Sequence, residues 1–312
     1  MIRFGLVSFS FLLLELGASA QDIGWKIAMD VAAKAVQENR FADAEVSYQR
    51  ALDLARQSSG GQPLNVAVVL DDLAAFYHRQ GQYDKAEPLY REALAIREKG
   101  QGPADPNLLP LVNNFAGLNC AEAKYQDSEK LFDQALEIGK KKFGPEHPTV
   151  ATSLQGLAAV AQGQKLEPKA ESLFLEAIAI REKATEREDP DLAYSYEGYA
   201  AVLRKTKREA EAEELDARAR AIKVWTSASL TLGLKDLPPL QKAAFLGDTK
   251  RVNALLGAGA DPEGLDNQGD SALLYAAWMG HTAITKRLVN KDNSNSSFSL
   301  GLTPLYAAAQ NG

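Results

Sequence analysis

Few residue types in this chain could carry chemistry, and they are scattered. The three histidines are His78, His147 and His281, and the single cysteine is Cys120. None of them stand at the short spacings with which His and Cys hold a metal ion. Cys120 has no histidine near it in sequence, so a small packing residue explains it better than a nucleophile does. Paired carboxylates are abundant, but on helices they read mostly as solvated faces. The chain contains no G-x-S-x-G, no H-E-x-x-H and no phosphate-cradling Gly loop. Gly257-Ala258-Gly259 follows no strand, which such a loop would require. No catalytic set, metal site or cofactor is expected, and the chain reads as a non-enzyme.

What remains is polar side chains held on helices, so the elements that position them come next. The chain has 312 residues, 46% hydrophobic and 24% charged, with a formal net charge of -6. It is able to bury a core and is not a disordered polyelectrolyte. The charge lies in the middle: residues 1–22 sum to -1 and residues 223–312 to +1, leaving -6 for the stretch between. No basic stripe marks a nucleic-acid surface.

The N-terminus reads as a targeting segment. Arg3 gives a basic start, Phe4 to Leu14 is an apolar run, and Ala18-Ser19-Ala20 is a small-x-small site before Gln21. That is the anatomy of a signal peptide over 1–20, cleaved after Ala20. The expected location is therefore exported, periplasmic or secreted, with an uncleaved N-terminal membrane anchor as the alternative. One cysteine leaves no intramolecular disulfide, which suits an exported chain.

Self-similarity dominates the rest. Ala32, Ala74, Ala116, Ala158 and Ala200 stand 42 residues apart, and so do Ala51, Ala93, Ala135, Ala177 and Ala219. The same step links Tyr48, Tyr90, Phe132 and Phe174; Leu54, Ile96, Ile138, Ile180 and Ile222; and Glu45, Glu87, Glu129, Glu171 and Glu213. Agreement of these registers sets copies at 25–66, 67–108, 109–150 and 151–192, with a shorter one from 193. Each copy predicts two helices. Leu70, Leu73, Ala74 and Tyr77 form one apolar stripe, and Tyr83, Ala86, Tyr90, Ala93 and Leu94 form the next. Gly81 divides them, because Gly enters the left-handed conformation cheaply. Its counterparts Asn39, Ala123, Lys165 and Lys207 suit that conformation less well, so looser or differently wound turns are expected there. Asp105-Pro106, His147-Pro148 and Asp189-Pro190 fit helix starts.

This pattern resembles the tetratricopeptide repeat in its 42-residue, kinesin-light-chain form. The segments LDDLAAFYHRQGQYDKAEPLYREALAIREKG (70–100) and KKFGPEHPTV (141–150) carry the resemblance, which covers roughly 25–222. It implies an all-α right-handed superhelix of helix pairs over 21–226. In the last copy Asp216 replaces an aromatic, as a solvent-facing terminal helix would allow. The helical pattern lapses over 227–236, which reads as a linker. Beyond it, LQKAAFLGDTKRVNALLGAGADP (240–262) and GDSALLYAAWMGHTAITKRLV (269–289) repeat one another. With Gly301-Leu302-Thr303-Pro304-Leu305, they resemble ankyrin repeats over 237–312, a short second solenoid. The third unit is incomplete, so a fragment or a truncated reading frame is expected.

The resemblance also places a ligand. In tetratricopeptide arrays the first helices line a concave groove, and the position before Leu73 points into it. Here that position holds Asp30, Asp72 and Asn114, then Gly156 and Gly198, so a polar ladder is expected that fades in the second half. Asp71, Asn113, Gln155 and Glu197 neighbour it, with His78, Arg79, Arg204 and Lys205 further along the wall. Acidic groups at one end and basic groups at the other fit a peptide of polarised charge. In the ankyrin part, Tyr275, Trp278 and Met279 fall at variable groove positions, where Trp and Met make a plausible hot spot. For all of these, solvent exposure or internal packing is the competing reading.

The expected function is a protein–protein interaction scaffold that takes a peptide or protein partner in the groove without catalysis. No nucleic-acid partner is expected, and the oligomeric state is open. The alternative is a sensing or regulatory repeat part of a larger signalling protein or secreted effector, whose catalytic domain lies elsewhere.

Overall fold

The computed structural model describes residues 23–57, 63–184, 189–228, 234–290, 293, 303 and 304. The signal-peptide reading of 1–20 lies outside these residues, as does most of the third ankyrin unit. Among the described residues the protein is all-α, and the only sheet-like pairing is an isolated bridge between Leu265 and Ser271. It divides into two compact units, Met1–Lys142 and Phe143–Gly312. Compactness therefore divides the chain near the end of the third 42-residue copy, and groups the later copies with the ankyrin part.

The first unit holds helices α1 (23–37), α2 (Phe41–Gln57), α3 (Pro63–Arg79), α4 (Tyr83–Gln101), α5 (Leu109–Ala121) and α6 (Tyr125–Phe143), with a 3₁₀ turn at Pro106–Leu108. Its core runs through the registers seen in the sequence. Ala32, Ala51, Ala74, Ala93, Ala116 and Ala135 are fully buried, so backbones approach where a larger side chain would hold them apart. Tyr48, Tyr90 and Phe132 fill the space between successive pairs. Each such aromatic contributes on the order of 2–3 kcal/mol by burial alone.

The second unit begins with α7 (Pro148–Gly163), α8 (Glu167–Ala184), α9 (Pro190–Lys205) and α10 (Glu209–Ala228). Short helices follow: α11 (Pro239–Phe245), α12 (Thr249–Gly257), α13 (Ala272–Met279) and α14 (Thr282–Leu288). One core joins the two kinds of helix. Ile222 and Trp225 of α10 cluster with Leu234, Phe245, Leu246, Tyr275 and Met279. The Trp225 and Phe245 ring centroids are 5.7 Å apart, and the Lys242 ammonium lies 4.8 Å from the Trp225 ring. So α10 is not the solvent-facing terminal helix that Asp216 suggested. Its apolar face is covered by the ankyrin helices, and Asp216 is engaged by Arg204. In the stretch read as a linker, α10 continues to Ala228 and Leu234 is buried.

The turns within the pairs correct a second expectation. Asn39, Gly81, Ala123, Lys165 and Lys207 all adopt the left-handed conformation, at φ 57°, 70°, 58°, 61° and 62°. In each, the next amide donates to the carbonyl five residues back: Arg40 to Ala35 (2.8 Å), Gln82 to Tyr77 (2.9 Å), Lys124 to Asn119 (2.8 Å), Leu166 to Ala161 (2.9 Å) and Arg208 to Leu203 (2.9 Å). The turns are wound alike because this bond satisfies an end carbonyl of the first helix. That gain outweighs the roughly 1–2 kcal/mol a side chain loses there. The helix starts are as read. Asp105, His147 and Asp189 accept from the amides of Asn107, Thr149 and Asp191.

Candidate partner-binding face

In the first unit, the helices α1, α3 and α5 each bring one residue of the expected ladder to the surface. Asp30, Asp72 and Asn114 are all exposed. Asp71 is different: only 8% of it is exposed, and it accepts from Asn114 Nδ2 at 3.3 Å. The rung between repeats therefore pairs the position beside the ladder with the ladder position of the next copy. Burial pushes the Asp71 carboxyl up to about 6, against the Asn114 bond, and Asp72 is raised by burial too.

Tyr48 and Tyr90, the aromatic register of α2 and α4, lie within the field of these acids. Burial raises both phenols, with the charges of Asp72 and of Asp71 adding to Tyr48 and Tyr90 respectively. The Tyr90 hydroxyl is buried with no hydrogen-bond partner, and so is Nε of Arg97, a residue whose charge reaches both Asp71 and Asp72. Arg97 spends another nitrogen on the Asn107 carbonyl at 3.2 Å. His78 packs edge-on to Tyr83 and Tyr90, and burial, reinforced by Arg79, lowers its pKa. Asn113 is half-buried beside Asn114. α3 and α5 thus carry a polar cluster in which the acids Asp71 and Asp72 are desolvated. Chemically it can accept from cationic or amide donors and orient them, and it offers no nucleophile.

The second unit treats the matching positions otherwise. Gln155 accepts from Ser195 Oγ at 3.2 Å, and Glu197 pairs with Lys223 at 2.5 Å. Arg204 is taken by Glu209 and Asp216. At Gly198 the ladder is lost for a steric reason: a Cβ there would overlap the Phe174 ring. Arg181, equivalent to Arg97, is buried against Asp189 (2.8 Å), Asp191 (3.1 Å) and Thr152 Oγ1 (2.9 Å).

The ankyrin positions separate. Tyr275 and Met279 are buried, so they present no surface; α10 occupies the space the sequence left open. Trp278 is 37% exposed, edge-on to Phe245. Tyr275 donates to Asp266 at 2.7 Å. His281 is fully buried, with Nε2 2.8 Å from the Phe245 carbonyl. Burial pushes its pKa down to about 4, so it is neutral and Nε2–H donates. Its Nδ1 stands 3.8 Å from Glu214 Oε1, whose carboxyl burial raises. Sequence spacing gave no sign of this pair, because Glu214 comes from the other kind of repeat.

His147 caps α7 and stacks on Phe143 at 4.7 Å, and Cys120 is half-buried with its thiol pushed up by burial. Among the described residues no cluster of His, Cys, Asp or Glu is arranged to hold a metal ion. No helix there is long and apolar enough to cross a membrane.

Comparison with known families follows the same division. The tetratricopeptide repeat model matches residues 30–99 and 108–183, and the model for ankyrin repeats (3 copies) matches 240–312. The chain carries tetratricopeptide repeats followed by ankyrin repeats. Repeats of both kinds are generally protein-interaction scaffolds. No curated protein matches the sequence. Among solved structures, BtubC (BKLC) from P. vanneervenii is 23% identical, with a TM-score of 0.55 over 72% of this chain and 94% of its own. Repeats from a candidate kinesin light chain of Podosopora anserina, described as nearly identical and TPR-like, are 22% identical. Their TM-score is 0.53 over 66% of this chain and 97% of theirs. A Rap protein complexed with Competence and Sporulation Factor is 16% identical, with a TM-score of 0.55 over 85% of this chain and 76% of its own. These likenesses are in fold.

Proposed function

We propose that this protein is an exported, non-catalytic scaffold that binds a peptide or protein segment across α3 and α5 of its tetratricopeptide part. Asp71, Asp72, Asn113 and Asn114 would take the ligand's donors, and His78 would border them. The observation that carries the reading is the acid pair of this face: Asp71, buried with its carboxyl raised to about 6, beside Asp72 and Asn114 at the surface. The acids call for a cationic or amide-rich segment, and the asparagines suit main-chain hydrogen bonds. The Rap protein of like fold, solved with Competence and Sporulation Factor, offers a precedent for ligand binding on such a scaffold.

Export rests on Arg3, the Phe4–Leu14 run and Ala18-Ser19-Ala20. Mass measurement of the intact protein from the exported fraction should place its first residue at Gln21. For the binding face, proteins captured from that fraction are compared between wild type and Asp72→Ala with Asn114→Ala. Both residues are exposed, a thermal melt checks that the loss of the Asn114 bond to Asp71 leaves the array folded, and the specific partner should be lost by tenfold or more. A partner retained equally by both removes this face from the proposal.

A second reading, a sensing part of a larger signalling protein, is favoured by one feature. The shared core of α10 with Phe245, Tyr275 and Met279 would pass a displacement in the tetratricopeptide helices into the ankyrin helices.

A further inference from the structure

The first helix carries an apolar face that its own unit leaves open. Ile23, Ile27 and Val31 stand at i, i+4 and i+8 on α1, and they are 54%, 58% and 50% exposed. Helical spacing of this kind puts all three on one stripe. The 42-residue register shows what such positions ordinarily meet. The counterparts of Ile27 are Val69 and Leu111, and those of Val31 are Leu73 and Phe115; all four are buried. In the inner copies these positions belong to the core of the unit, and Phe115 stacks on Tyr90 of the preceding helix pair with ring centroids 5.7 Å apart. α1 therefore presents a surface of the shape that packs on a helix, with no helix of this unit described against it.

We propose that a second copy of the chain covers this stripe, with two α1 helices packed antiparallel about a two-fold axis near Ile27. The flanking charges choose the occupant and the direction. Lys26 and Asp30 are exposed on the same flank of the stripe. In an antiparallel pair like flanks meet. Ile27 then faces Ile27 of the other copy, Ile23 faces Val31, and each Lys26 comes beside the other copy's Asp30. Lys26 is free to turn, since its present contact is with the Trp25 ring at 5.6 Å. A parallel pair would instead place identical residues at the same level, with the Lys26–Asp30 flank against the far side of the stripe. The two-fold pairing is isologous and closes at two copies. Three aliphatic side chains and two exposed ion pairs lie at the small end of specific interfaces, so the pair should be weak, with Kd on the order of micromolar. The pairing assigns Asp30 to this contact and leaves the partner face to Asp71, Asp72, Asn113 and Asn114.

Sedimentation velocity of the protein as isolated, over roughly 1–200 µM at low salt, tests the pairing. The mass should rise with concentration toward twice that of the chain. Ile27→Lys should weaken association by at least tenfold. Lys26→Glu should weaken it by a few-fold, and Lys26→Glu with Asp30→Lys should restore it, because the pairs are re-formed with reversed sign. All these positions are exposed, and a thermal melt equal to wild type confirms that each variant is folded. A chain monomeric at every concentration overturns the proposal, including one whose residues 4–14 cover the stripe. So does a dimer indifferent to Ile27→Lys, or one that the double reversal fails to restore.

Discussion

The two compact units use one repeat register in opposite ways. In the first, Asp71 is buried with its carboxyl raised, and Arg97 spends a nitrogen on the Asn107 carbonyl. In the second, Gln155 bonds Ser195, Glu197 and Arg204 have ion-pair partners, and Arg181 is surrounded by Asp189, Asp191 and Thr152. A common backbone plan therefore does not give a common role. Where charges are matched inside the chain they hold helices together. Where a carboxyl is desolvated instead, as at Asp71, the fold carries the cost.

The largest expected effect lies on the closed side. Arg181→Met removes a buried guanidinium that ties α8 to the caps of α9 and leaves two carboxylates behind. Chemical denaturation should show a loss of about 2–4 kcal/mol, toward the low end because Asp191 remains solvated. Arg97→Met, at the equivalent position of the open side, should lose less than about 1 kcal/mol. Equal losses would erase the contrast between the units.

The next effect has the opposite sign. Asp71→Asn keeps the acceptor for Asn114 and removes a desolvated charge, so it should stabilise the first unit by about 1–3 kcal/mol near pH 7.5. The pH window follows from the direction of the shift. The folded value, about 6, lies above the free value of 3.8. Between those two, the folded state keeps a proton that the unfolded state releases. The destabilisation by ionised Asp71 is thus full above about pH 6 and gone below about pH 4. Melts of the variant and wild type should diverge at neutral pH and converge in acid. A gain that does not change with pH would mean that burial of the charge is not its source.

The smallest effect concerns the turns, where the units should behave alike. Lys165→Gly and Lys207→Gly each relieve a side chain at φ 61° and 62°. Each should raise stability by about 0.5–1 kcal/mol, as should Ala123→Gly in the first unit. A loss in one unit only would show that its turn is held by something besides the closing hydrogen bond.

Much of the architecture was legible because it repeats. The alanines, the aromatics and the caps at Asp105, His147 and Asp189 announce themselves at a fixed interval, and local chemistry decides what each does. The exposure of Asp30, Asp72 and Asn114 followed from that register. What was hidden depends on neighbours that no spacing names. The Lys turns look unfavourable residue by residue, and only the repeated amide-to-carbonyl bond explains them. Tyr275 and Met279 look like surface residues of an ankyrin unit until α10 is placed over them. Arg181 and Arg97 are both arginines on second helices, and their sequence environments do not show which has found carboxylates. Gly198 reads as a missing ligand group, whereas the Phe174 ring requires it.

The central claim is that α3 and α5 hold a desolvated acid whose capacity is reserved for a partner. Carbon-detected NMR titration of the Asp71 carboxyl in the isolated protein, assigned with Asp71→Asn, tests it most directly. The account predicts a midpoint about 6. An Asp71 midpoint in the ordinary carboxylate range, near 4, would contradict it.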